Sequence, residues 1–267
     1  MTESDRTFQT TQHGAVTEIQ FHGSGTGNVL GAAFWAELQG VLERVGAADA
    51  TSAIVLHGTH EDFSAGLDLR WYYSSLRRRA RSTDQRREAL ASEETFQSAV
   101  SAISACPLPV IAAVTGRCRG IAVELAAACD VRLASAEAVF ALPEVALGLY
   151  PDLGATYRLP RLIGDGWARQ LMLSGKAIDA ATAARIGLVN NVYPDPETLF
   201  QAAIDMAAEV AANPRSAVIG VKQILNAVRD EPLPGVLRNA ALHSAAMLPD
   251  RLDHQIRKAI TNGDELS

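Results

Sequence analysis

Residues 109–134 read PVIAAVTGRCRGIAVELAAACDVRLA, and this stretch decides the fold class. Val110 to Thr115 is a short, continuously apolar run bounded by Pro109 and Gly116, the pattern of a strand buried on both faces. Gly120 to Cys129 is alanine-rich and predicts a short helix, and Val131 to Ala134 returns to a strand-like pattern. Strands separated by helices favour parallel pairing, because parallel neighbours need a crossover. The same alternation extends towards the start of the chain. Val16 to Phe21 and Ala53 to His57 read as strands. Between them, Phe34, Leu38, Val41, Leu42 and Val45 fall on one side of a helix. From about Gly164 the pattern is helical almost to the end, with Asp179 placed to cap one helix and Gly187 to close it. The expectation is an α/β core over residues 1–200 followed by a helical region over 201–267, with no internal repeat or low-complexity linker.

Composition narrows the function classes. The 267 residues are 48% hydrophobic and 20% charged, enough apolar material for a sizeable core. The net charge of −6 gives no general case for a nucleic-acid binder. Arg77-Arg78-Arg79-Ala80-Arg81, with Arg86-Arg87, is the strongest basic run; it reads as a solvated helical face, with cofactor phosphates or an acidic partner as the other options. No apolar run is long enough to cross a bilayer, and Met1 to Arg6 lacks the features of a signal peptide. Cys106, Cys118 and Cys129 have no CxxC spacing, so they read as packed thiols of a reducing compartment, and a cytoplasmic location is expected.

Familiar cofactor motifs are missing. Gly23-Ser24-Gly25-Thr26-Gly27 has the wrong spacing for a dinucleotide fingerprint. Gly175-Lys176 lacks the upstream glycine of a phosphate-cradling loop, and there is no G-x-S-x-G elbow or metal-like histidine pair. No metal site is expected.

Two segments suit the stabilisation of an oxyanion. Phe63-Ser64-Ala65-Gly66-Leu67-Asp68-Leu69 is a small-residue turn that lets a ligand approach the backbone. At Gly120 a helix begins, and its first amides have no intrahelical partner and carry partial positive charge. Glu124 lies one turn into that helix and interrupts an apolar stretch, so its carboxyl should be partnered or raised in pKa. Glu144 sits between apolar residues in the same way, and Asp152 follows in a turn-forming sequence. Any one of these acids could be a helix cap or a salt-bridge partner; three of them with two amide-rich turns form a catalytic constellation.

These residues resemble the crotonase (enoyl-CoA hydratase/isomerase) family over roughly Val16 to Ile260. The marks are residues 63–69, 109–116, Glu124-Leu125-Ala126 with Cys129-Asp130, 140–148, and Ala184-Arg185-Ile186-Gly187-Leu188-Val189-Asn190. The resemblance implies a spiral of ββα repeats and helical C-terminal trimerisation, giving a homotrimer or a hexamer built as a dimer of trimers. It implies an acyl-CoA substrate, with coenzyme A entering as part of that substrate and no separate cofactor. The amides of Leu67 and Ile121 would form the oxyanion hole, and Ser64, Ala65 and Asp68 would bind coenzyme A. Glu124 and Glu144 match the two glutamates of 2-enoyl-CoA hydratases. Asp152, in Asp152-Leu153-Gly154, is instead similar to the aspartate of Δ3,5-Δ2,4-dienoyl-CoA isomerases, as are Phe63 to Gly66, Cys118 and Arg158-Leu159-Pro160. The chain departs from those isomerases at Glu124, where they carry aspartate, and from the family at Ile121 and Ala122, which replace glycines and could narrow the pocket. A dienoyl-CoA isomerase is the leading expectation and an enoyl-CoA hydratase its rival. Thioester hydrolysis, dehalogenation, and a non-catalytic scaffold binding RNA or protein through Arg77 to Arg87 complete the set.

Overall fold

The computed structural model describes residues 7–75, 83–228 and 231–246. The run Arg77 to Arg81 and the stretch expected to be helical through Arg257 lie wholly or partly outside them. Within residues 1–212, six strands form one sheet in the order β1 (Phe8–His13), β2 (Val16–Phe21), β3 (Ala53–His57), β4 (Val110–Val114), β6 (Val131–Ser135) and β9 (Asn191–Tyr193). β1 and β2 pair antiparallel; every later pairing in this sheet is parallel, as the alternation with helices requires. A smaller sheet contains β5 (Arg117–Arg119), β7 (Val139–Ala141) and β8 (Ile178–Asp179). β4 and β5 lead into helix α4 (Ile121–Ala128), and β6 and β7 lead into a short 3-10 helix, Pro143–Leu147. Strand, short strand and helix thus recur along the chain, which is the ββα spiral.

All five residues of β3 and of β4 are buried, so the central strands are covered on both faces. Alternate residues Ala53, Val55, Ile111, Ala113 and Leu133 point one way, onto Leu199, Ala203 and Ala207 of helix α7 (Pro196–Ala211). Asp195 caps that helix by accepting from the Thr198 amide at 2.7 Å. Beside the sheet, helix α1 (Ala32–Gly46) and helix α3 (Thr83–Ala105) meet in an aromatic cluster in which Trp35 packs on Phe34 and Phe96 with ring centroids 5.2 and 4.7 Å apart. On β2, Glu18 pairs with His57 of β3 and His13 of β1, each at 2.7 Å, and these partners, His57 foremost, lower its pKa to about 2. Arg86 and Arg87 of α3 are exposed, as a solvated face requires.

Two sequence expectations shift. The helical region begins earlier than Gly164, with α5 (Ala155–Ser174), which carries Pro160 and bends at Gly164, where φ is 76°. The remaining helix of this part, α6 (Ala180–Arg185), is capped by Asp179 and followed by Gly187 with φ 84°, as expected. The boundary at residue 200 would cut α7; because that helix packs on the sheet, the α/β unit runs to Ala212 and the second unit begins at Asn213. This second unit contains α8 (Arg215–Ala227) and α9 (Leu233–Ala246), packed on each other. Among the described residues no helix is long and apolar enough to cross a membrane.

Ala203 is fully buried where α7 meets the sheet. Ala203→Leu should overpack that contact and destabilise the chain by about 1–3 kcal/mol. Differential scanning calorimetry should record a Tm lowered by several degrees, and an unchanged Tm would contradict the packing.

Candidate active site

The site begins with the pinning of residues 62–68. Asp62 is buried, and its Oδ1 accepts from the Arg117 amide and Nε at 2.8 Å each, while Oδ2 accepts from Nη2 at 2.7 Å. Arg117 holds the Asp62 carboxyl below its ordinary pKa. Next, the Ser64 amide donates to the Arg117 carbonyl and the Arg119 amide donates to the Ser64 carbonyl, a parallel bridge onto β5. On the other side, Leu30 donates to the Gly66 carbonyl at 2.8 Å and accepts from the Asp68 amide at 3.0 Å. A parallel bridge of this kind uses the groups flanking Leu67, so the Leu67 N–H is not spent on Leu30, and Leu67 lines the pocket. Gly66 makes the tight passage possible: its φ is 103°, and a Cβ there would lie 2.7 Å from the Arg119 carbonyl oxygen.

β5 then delivers the second amide. Gly120, with φ 58°, donates to the Ala141 carbonyl at 2.8 Å and starts α4 at Ile121. A Cβ on Gly120 would sit 2.9 Å from Glu144 Oε1, so the glycine lets that carboxylate lie against the helix start. Gly66, Leu67, Gly120 and Ile121 all line one pocket of about 650 Å³. The substituted glycine positions behave differently. Ile121 faces this pocket, whereas Ala122 is fully buried away from it and narrows nothing.

The same pocket gathers Glu124, Glu144 and Asp152. Glu124 is 1% exposed, and its Oε2 accepts from the Ala155 amide at 2.8 Å, at the start of α5. Burial, with smaller contributions from Glu144 and Asp152, raises its pKa to about 8, so it is neutral at pH 7. Its Oε1 and both oxygens of Glu144 are buried without a hydrogen-bond partner among the described residues. Burial also raises the pKa of Glu144, and the charge of Asp152 adds to the effect. Pro143 starts the 3-10 helix that carries Glu144, and Gly148 closes it at φ 69°. Asp152 is half-buried, and its backbone carbonyl accepts from Gln97 Nε2 of α3 at 2.9 Å. Such an arrangement can hold an anionic oxygen on two amides and pass protons among three acids.

The residues expected to bind coenzyme A divide. Ala65 lines the pocket. Ser64 is fully buried, and its hydroxyl donates to the Asn28 carbonyl and accepts from the Gly66 amide, so it shapes the turn and is out of a ligand's reach. Asp68 lies outside the pocket lining; its Oδ1 accepts from the amides of Arg70 and Trp71 at 3.0 Å each, capping helix α2 (Leu69–Ser75). Sequence reading missed Tyr72, Glu93 and Arg119, which line the pocket, and Gln97 behind Asp152. Tyr72 and Glu93 stand 21 residues apart with no motif joining them. Among the described residues no group of three or more His, Cys, Asp or Glu side chains is placed to hold a metal ion.

Comparison with known proteins identifies relatives of the chain. Residues 11–256 match the family described as Enoyl-CoA hydratase/isomerase. A mitochondrial Delta(3,5)-Delta(2,4)-dienoyl-CoA isomerase of Homo sapiens is 31% identical over 270 residues, 99% of this chain and 81% of that protein. The corresponding Dictyostelium discoideum protein is 40% identical over 153 residues, 57% of this chain and 52% of its own length. A solved enoyl-CoA hydratase from Bacillus anthracis superposes with a TM-score of 0.85 at 29% identity, covering 96% of this chain and 97% of that one.

The raised pKa of Glu124 makes stability depend on pH in a definite direction. In the unfolded chain a glutamate ionises near its ordinary value of 4.5, whereas the folded chain keeps this proton up to about 8. The stabilisation from the retained proton is complete below the lower value and is lost as pH rises through the upper one. Glu124→Gln mimics the neutral acid. Its Tm should match the parent's near pH 5 and exceed it by several degrees near pH 9; parallel Tm curves for the two proteins would overturn this assignment.

Proposed function

The chain belongs to the enoyl-CoA hydratase/isomerase family, and from that premise we propose that it moves conjugated double bonds in acyl-CoA thioesters, converting a 3,5-dienoyl to a 2,4-dienoyl thioester. The observation that carries this reading is that Asp152 lines the same pocket as Glu124 and Glu144. A bond shift of this kind needs a base at C2 and an acid at C6, and two glutamates held around one water would leave an aspartate unused.

In this reading the thioester oxygen sits on the amides of Leu67 and Ile121. They polarise the carbonyl and stabilise the enolate formed when the C2–H bond breaks; one such donor is worth roughly 10²–10³ in rate. Glu144 takes the C2 proton, because its carboxylate lies against Gly120 at the start of the same helix and so beside the carbonyl end of the substrate. The electron pair shifts along the chain, closing new double bonds at C2–C3 and C4–C5 while C6 takes a proton from Asp152. Asp152 enters the step protonated and Glu144 ionised; Glu124 stays neutral, bound to the Ala155 amide, and adds no second negative charge beside Glu144. In this reading coenzyme A is part of the substrate, and Ala65 of the pocket lining is assigned to it.

A 2-enoyl-CoA hydratase is the second reading. It is favoured by Glu124 Oε1 and both Glu144 oxygens, which have no partner among the described residues and could hold a water between them. Assembly as a homotrimer or a dimer of trimers is proposed on the exposed Val221 and Leu225 of α8 and Leu237 and Leu242 of α9, apolar side chains that a second copy could cover.

A spectrophotometric assay with a 3,5-dienoyl-CoA and a trans-2-enoyl-CoA tests the reading. The isomerase should build 2,4-dienoyl absorbance, and Asp152→Asn should lower kcat by about a hundredfold or more. Hydration of the enoyl thioester with the diene untouched, or full isomerase turnover by Asp152→Asn, would replace the first reading by the second.

A further inference from the structure

The wall of the pocket made by α2 and α3 holds a polar pair in apolar surroundings. Tyr72 Oη donates to Glu93 Oε1 at 2.6 Å, and both residues line the pocket beside Trp35, Leu90 and Phe96. Tyr72 is 9% exposed and Glu93 is half-buried. The proposed double-bond shift makes no use of this pair. A plain alkyl chain lying along this wall would strip water from the carboxylate and return no hydrogen bond, which is unfavourable. One phenol does not exhaust a carboxylate, which accepts at two oxygens with about four lone-pair positions. A hydroxyl on the acyl chain would supply the missing donor, while the flanking aromatic and leucine side chains cover the hydrocarbon on either side of it.

We propose that Tyr72 and Glu93 make this pocket select acyl-CoA thioesters whose chain carries a hydroxyl group over plain alkyl chains of the same length. This rests on the acyl-CoA reading above and adds the class of acyl group to it. A purely structural tie between α2 and α3 would leave ligand preference unchanged on substitution. The selectivity proposal requires the preference to follow the polarity of residue 93.

Isothermal titration of the full chain with saturated hexanoyl-, octanoyl- and decanoyl-CoA, each plain or hydroxylated at the terminal carbon, separates binding from turnover. At one or more lengths the hydroxylated thioester should bind on the order of tenfold more tightly. Glu93→Leu should abolish or invert that preference. Glu93→Gln keeps an acceptor for Tyr72 and should retain part of it, which guards against a leucine variant that fails to fold. Equal affinities at every length, or a preference unchanged in Glu93→Leu, overturn the proposal while leaving isomerase turnover of plain dienoyl thioesters intact. Absence of binding by every thioester overturns it together with the reading on which it rests.

Discussion

The site depends on residues 62–68 being held between two neighbours. On one side Asp62 and Ser64 tie the segment to β5; on the other, Leu30 takes the groups on either side of Leu67. The Leu67 amide is then not spent on Leu30. β5 runs directly into Gly120 and α4, so the segment that receives the pinning also delivers the second amide. In the proposed reaction, backbone amides held in this way would need little reorganisation when an oxyanion forms. The Asp62–Arg117 pair carries much of this order: Asp62 is buried while the Arg117 side chain is partly exposed, so losing Arg117 would strand the poorly solvated carboxylate, which costs more than a surface pair is worth.

The second constraint is electrostatic. Three carboxyl groups in a mostly apolar pocket oppose one another and oppose burial, so the site costs stability that the rest of the core must offset. The chain limits that cost locally. Glu124 keeps its proton and takes an amide from α5, and the glycine at 120 gives Glu144 room against the helix start. Glu18 works in the opposite sense, since its histidine partners favour its ionised form. The chain thus contains one acid that favours folding at low pH and another whose contribution fades only when the medium is strongly acidic.

Much of the fold was legible because burial on both faces leaves an unbroken apolar run, as in β3 and β4, and because α4 is rich in alanine. β1 was missed because its FQTTQH sequence is mostly polar, and β5, β7 and β8 because two or three residues show no period. The first turns of α5 were hidden by Pro160 and Gly164. Glu124 and Glu144 stood out as charges interrupting apolar stretches. The family resemblance placed Ser64 and Asp68 at coenzyme A; in the fold the Ser64 hydroxyl and Asp68 Oδ1 engage nearby backbone groups, which residue type alone does not show.

The amino-acid sequence by itself determined the family, the parallel alternation of strands and helices, and which acids and which amide-rich turns could carry chemistry. Those properties depend on residue type and spacing, and a one-dimensional pattern preserves both. Tertiary structure alone decided that Asp152 shares a pocket with Glu124 and Glu144, that Ser64 and Asp68 serve the backbone, and that Tyr72 meets Glu93. Burial, pKa and hydrogen-bond partners arise from contacts between residues far apart in the chain, here 31 residues between Glu124 and Ala155, and no local pattern encodes them.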